Sequence, residues 1–253
     1  MKTTRMNFTR RNRKKKKYEN VGYMEIKDAA VGAGVDLYIY GDIVSTEWDK
    51  WSSEDTCPQD IVDFLSVIDD NADLTVYINS GGGDVFAGIG ICNILKRHSG
   101  HIRGVVDGIA ASIASVILMA CDAIVVSSGA QIMIHKPMTV GWGNADRFAA
   151  IINQLDKCQQ MITDIYMEKV KEGVTEDEIT EMINAETWMS GSEAAEVFEV
   201  ETEEREAVAA CVSCMQDRFA NMPQIRTESV EDADERQRQQ EEDILADLDF
   251  YGI

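Results

Sequence analysis

Leu74-Thr75-Val76-Tyr77-Ile78 runs into Asn79-Ser80-Gly81-Gly82-Gly83, and then into Val85-Phe86-Ala87-Gly88-Ile89-Gly90-Ile91. A β-rich apolar run, a glycine turn and a longer apolar stretch without proline predict a strand, a tight turn and a helix over 85–96. On the N-terminal side, Val35–Tyr40 predicts another strand, closed by Gly41-Asp42. Residues 58–68 carry apolar side chains at 61, 62, 64, 65, 67 and 68 behind Pro58, close to a helical period. On the C-terminal side, 101–106 reads as a strand, 110–120 as a helix of small and apolar residues, and 123–126 and 131–134 as short strands. Strands alternating with helices over 35–135 predict an α/β architecture. Residues 145–183 read as a long helical region, broken near Gly173 and restarted by the capping box Thr175-Glu176-Asp177-Glu178. A second capping box, Ser190 with Glu193, precedes Ala194.

Three segments carry candidate chemistry. Successive glycines at 81–83 let backbone N–H groups point into one cavity, a nest for an anion or an oxyanion. No Gly-Lys-Ser/Thr follows, so this is not a nucleotide-binding P-loop, and such a turn can also be only a turn. In Asp107-Gly108-Ile109-Ala110-Ala111-Ser112-Ile113-Ala114-Ser115, Ser112 stands where strand and loop hand over to a buried helix. Free N–H groups there favour developing negative charge on a nucleophile. The other reading is that Ser112 and Ser115 are small residues that permit close packing. In Ile132-Met133-Ile134-His135-Lys136-Pro137 a histidine closes an apolar strand, either as a base or as a structural residue. The other two histidines, His98 and His101, flank Gly100 in polar turns.

Charge is unevenly spread over the 253 residues, whose net is −21. Residues 1–17 hold nine basic residues and no acid, leaving 15 basic residues against 45 acids, a net of −30, on 18–253. The basic arm, 1–20, is expected to be disordered, because like charges repel out of compact structure. The acidic remainder repels nucleic-acid phosphates, so the arm alone could meet nucleic acid. The longest apolar run, 109–121, has 13 residues, short of the ~20 that span a bilayer, so it reads as a buried element and no membrane association is expected. Tyr18-Glu19-Asn20 follows the basic stretch where a signal peptide would have an apolar region. Six cysteines show no framework spacing; Cys211-Val212-Ser213-Cys214 stands alone, and no metal site is expected. Residues 226–243 carry eight acids without an apolar face, and 244–253 regain apolar residues at the end. The reading is a basic arm at 1–20, a globular domain at 21–203, and an acidic linker and tail at 204–253.

Tyr77-Ile78-Asn79-Ser80-Gly81-Gly82-Gly83, Asp107 to Ser112, Met133-Ile134-His135-Lys136-Pro137 and Trp188-Met189-Ser190-Gly191-Ser192-Glu193-Ala194 occur in one order and at spacings that resemble the Clp protease family. The resemblance is greatest to the phage prohead (capsid maturation) proteases that share that fold. It implies a Clp/crotonase-like α/β spiral of repeated β-β-α units, with a projecting helical handle near 145–183. By the same resemblance Ser112 falls on the nucleophile, His135 on the general base, and Gly83 and Ile113 on the oxyanion hole. Glu186 stands where the family has an aspartate, and Gly81 where the cellular peptidases have proline. The implied activity is serine endopeptidase, ATP-independent and without cofactor. It would cleave scaffold or capsid protein, and itself as well, within the procapsid assembling in the host cytoplasm. Family members associate into rings, and Phe148, Ile151, Ile152, Leu155, Ile162 and Ile165 at helical spacing supply either a ring contact or packing on the chain's own core. Two rivals are a crotonase-type acyl-CoA enzyme on the same fold and a Clp-like scaffold subunit without activity.

Overall fold

In the computed structural model, residues 3–12, 17–27, 34–203 and 221 are described. The strands in chain order are β1 (Thr3–Asn12), β2 (Lys17–Lys27), β3 (Val35–Tyr40), β4 (Leu74–Ser80), β5 (Ile102–Ala111), β6 (Ala123–Ser127), β7 (Gln131–Ile134), β8 (Thr187–Ser190) and β9 (Glu201–Glu203). The helices are α1 (Pro58–Leu65), α2 (Val85–Leu95), α3 (Ile113–Leu118), α4 (Ala145–Met167), α5 (Glu176–Ala185) and α6 (Gly191–Val197).

Strand β4 sits inside the sheet because it can be buried along one whole face: Leu74, Val76, Ile78 and Ser80 alternate with half-buried neighbours. Its partners β3 and β5 both run parallel to it. The order β3-β4-β5-β6-β9 is parallel throughout, as crossover helices require. Strand β5 serves two neighbours in succession. Residues 103–106 pair with β6 and 109–111 with β7, which itself runs antiparallel to β8. The chain therefore passes from one layer of strands to the next within β5, and the turn of the spiral lies around Asp107-Gly108. The sheet and its helices form a mixed α/β fold, as the alternation of strands and helices over 35–135 predicts.

The reading of 110–120 as helix is corrected at its start. Ala110 and Ala111 continue β5, and the helix begins only after Ser112. A run that is apolar on every side has no period to separate strand from helix, and pairing with β7 decides it. Every residue of α3 is buried, as the apolar run 109–121 led one to expect. Among the described residues no helix is long and apolar enough to cross a membrane.

The basic arm is corrected as well. Residues 3–12 pair antiparallel with 17–27, with one register shift between Phe8 and Thr9. The like-charge argument treats 1–20 as a segment by itself, whereas 3–12 has a partner strand in 17–27. The acidic linker and tail, with Cys211 and Cys214, lie outside the described residues apart from Asn221.

Helix α4 divides the apolar stripe between the two readings given above. Ile162 and Tyr166 are buried and Ile165 packs against the same core, whereas Phe148 and Ile152 in the first half are exposed. Both capping boxes are present, at Thr175–Glu178 ahead of α5 and Ser190–Glu193 ahead of α6.

Ahead of α1, Lys50 and Asp60 form a buried ion pair at 2.6 Å, and Asp60 also accepts the Cys57 N–H at 2.7 Å. Lys50 is 6 % and Asp60 4 % exposed. Lys50→Ala would leave a carboxylate buried without its cation. It is expected to cost about 3–5 kcal/mol in urea unfolding, whereas Gln59→Ala on the exposed side of α1 should change stability by less than about 0.5 kcal/mol.

Candidate active site

The glycine turn after β4 is pinned from two sides. Ser80 Oγ accepts Gly82 N at 3.1 Å, while Gly82 O accepts Ile43 N at 2.9 Å and Asp84 N donates to Ile43 O at 2.8 Å. Asp84 then caps α2 by accepting Ala87 N at 2.7 Å. Gly82 has φ 88° and lies against the entry to α3: a Cβ there would stand 2.7 Å from Ala111 O and 2.8 Å from Ser112 Cβ.

Ser112 has φ 55° and ψ −128°, a strained conformation for a residue with a Cβ. Its N–H donates to Met133 O at 2.9 Å, which ties the turn to β7. His135 follows directly on β7, 9 % exposed, with Nε2 2.8 Å from Ser112 Oγ. Burial holds the imidazole below its ordinary 6.5, and the charge of Glu186 acts in the opposite direction. At neutral pH His135 is therefore neutral and its Nε2 can accept a proton.

Glu186 caps α5 with φ 53°. Ser112 and Glu186 are the two non-glycine residues with positive φ among the described residues. The carboxylate Oε1 accepts Asn221 N at 2.6 Å and lies 3.5 Å from Trp188 Nε1. Gly83 follows Gly82 in the turn and Ile113 opens α3; among the described residues neither N–H has an acceptor. The five residues singled out in the sequence, Ser112, His135, Glu186, Gly83 and Ile113, thus belong to four segments: the glycine turn, the β5–α3 junction, the end of β7 and the end of α5. The four described cysteines are buried, and burial pushes the Cys121 thiol up to about 12, so none rivals Ser112 as a nucleophile.

Asn221 and Tyr166 have no signal in the sequence, and Ser115 reads there only as a small packing residue. Asn221 donates through its side-chain amide to Ala185 O at 3.0 Å as well as through its backbone to Glu186. Ser115 and Tyr166 share a buried hydrogen bond at 2.7 Å behind Ser112. A groove of about 630 Å³ opens beside Gly83 and Pro137, between residues 83–86 and residues of the segment 137–158. Its lining is mostly apolar, with Phe86, Met138, Val140, Trp142, Ile151 and Leu155.

The Clp protease family model matches residues 43–198, more than half of the chain and all of this site except Asn221. The chain belongs to the Clp protease family. An ATP-dependent Clp protease proteolytic subunit of Bacteroides fragilis is 30 % identical over 135 residues, covering 53 % of this chain and 64 % of that protein. A proteolytic subunit of Sorghum bicolor is 30 % identical over 134 residues, covering 52 % of this chain and 61 % of its own. The chain thus spans less than two thirds of the length of these Clp relatives. A ClpP1 mutant from Listeria monocytogenes superposes with a TM-score of 0.52 at 24 % identity, over 67 % of this chain and 91 % of that one, so the Clp fold is shared.

Two glycines separate site geometry from backbone strain. Gly82→Ala must displace Ser112, whereas Gly173, at φ 97°, has nothing within 4 Å of an added Cβ. Gly173→Ala is expected to cost about 1–2 kcal/mol of stability in urea unfolding, by its conformation alone. Gly82→Ala is expected to cost more than this in urea unfolding, because its added Cβ also meets Ala111 O and Ser112 Cβ.

Proposed function

We propose that this chain is a serine endopeptidase in which Ser112 is the nucleophile and His135 the general base. The observation that carries the reading is the 2.8 Å contact from Ser112 Oγ to a buried, neutral His135. Ser112 Oγ attacks the peptide carbonyl carbon as His135 Nε2 takes its proton. The Gly83 and Ile113 N–H groups receive the oxyanion, each worth about 2.7–4 kcal/mol in the transition state. His135 returns the proton to the leaving amine, and water repeats the sequence to free Ser112. Glu186 orients the imidazole and supports the imidazolium, and its charge already acts on His135. The apolar groove beside Gly83 receives the side chains that flank the cleaved bond.

The reading extends to phage prohead maturation, with scaffold or capsid protein as substrate, self-cleavage, and assembly of the chain into a homo-oligomeric ring inside the procapsid in the host cytoplasm. Support comes from the four ordered motifs, from Gly81 and Glu186 at positions that differ from the cellular peptidases, and from exposed Phe148 and Ile152 on the first half of α4. No cofactor enters this chemistry.

A fluorophosphonate probe is expected to label the chain at Ser112 and to leave Ser112→Ala unlabelled, with kcat down roughly 10⁶-fold. Absence of labelling in the wild type would favour an acyl-CoA enzyme or an inactive scaffold subunit. Co-expression with the capsid and scaffold genes, read by intact mass, should show shortened products with the wild type only. Activity should fall as pH drops through an apparent pKa below 6.5, because protonated His135 cannot accept the serine proton. Glu186→Gln removes the charge that raises this pKa. Its acid limb should move further down while kcat falls by up to roughly 10⁴-fold.

A further inference from the structure

Ser115 lies one turn into α3 and is fully buried, with three oxygens around its Oγ. Ser112 O is at 2.6 Å, Met133 O at 3.1 Å and Tyr166 Oη at 2.7 Å. Two hydroxyl protons serve the cluster, and the two carbonyls can only accept. The proton count therefore has one favourable solution: Tyr166 donates to Ser115 Oγ, and Ser115 donates to the carbonyls, chiefly to Ser112 O. The reverse order would leave the carbonyls facing a lone pair and the Tyr166 proton without an acceptor. Tyr166 is 1 % exposed, and burial pushes its phenol above the ordinary 10.0, so it stays a donor at any working pH.

The two carbonyls belong to the two halves of the catalytic contact. Ser112 O is the carbonyl of the strained residue and also accepts Ser115 N at 3.0 Å. Met133 O accepts Ser112 N and lies two residues before His135. Tyr166 itself sits in the last turn of α4, the helix whose Arg147, Ile151, Gln154, Leu155 and Cys158 line the groove. We infer that Ser115 and Tyr166 are a positioning pair for the Ser112–His135 contact, with Tyr166 acting through Ser115 to fix the Ser112 carbonyl and the end of β7 together. This rests on Ser112 being the nucleophile.

The test uses the full chain with an activated peptide ester and a fluorophosphonate, and all rates are normalised to folded protein by circular dichroism. Tyr166→Phe keeps the ring and removes one hydroxyl. It should lower kcat roughly 10-fold with KM unchanged, and slow phosphonate labelling by the same factor. Ser115→Ala should lower kcat at least as much. The double variant should be no slower than Ser115→Ala alone, since two residues acting as one unit are not additive. A folded Tyr166→Phe with unchanged kcat and labelling rate, or losses that add in the double variant, would overturn the inference while labelling at Ser112 still stood. A wild-type chain that takes no label would remove the peptidase reading and this one with it.

Discussion

Ser112 holds a backbone conformation that costs on the order of 1–3 kcal/mol because its surroundings close on it from every side. Its N–H is engaged by Met133 O, its carbonyl by Ser115 N and Oγ, and Gly82 leaves no room for the turn to relax toward β4. Those partners in turn require that β5 continue past Asp107 to meet β7, and that α3 be buried on all sides. The spiral is therefore more than a scaffold on which a serine has been placed. Its passage from one strand layer to the next, around Asp107-Gly108, leads directly into the strained turn at Ser112, and the pairing of β5 with β7 helps to hold that turn.

The same constraint explains why α4 is built in two halves. Its last turns are fixed on the core through Ile162 and Tyr166, whereas its first half stands clear of the body and borders the groove. A helix exposed along its whole length would have only its mean propensity to hold it, and one buried along its whole length could not border an open groove. Anchoring at Tyr166 meets both demands, because a 23-residue helix fixed at one end is stiff enough to position the other.

Much of this was legible in the residues. β-rich runs located β3 and β4, a near-helical period located α1, an apolar stretch without proline located α2, the capping boxes located the starts of α5 and α6, and three motifs located the segments that meet at Ser112. What was not legible had specific causes. The end of β5 was read as helix because Ala110 and Ala111 are apolar on both faces, and only the β7 partner distinguishes the two. The pairing of 3–12 with 17–27 is hidden in the sequence by the run of nine basic residues in 1–17. Tyr166 and Asn221 reach the site across 54 and 35 residues of chain from Ser112 and Glu186, and no local spacing encodes such contacts.

Glu186 shows how far local stability gives way at this site. It occupies the left-handed position that ends α5, where glycine is the common choice, and α5 has no basic residue in its last turn. A carboxylate there meets the negative end of the helix, at a cost of about 0.3–1 kcal/mol, on top of about 1–2 kcal/mol for the left-handed backbone. Glycine would relieve both. The offset comes from the Asn221 N–H donated to Oε1, with the Trp188 indole nearby, and Asn221 lies beyond the segment matched by the family. The longer arm of glutamate therefore comes with its own brace from the C-terminal side of the domain. An aspartate at this position would fall one methylene short of the same Asn221 N–H, so the reach of the glutamate and the contact from Asn221 depend on one another.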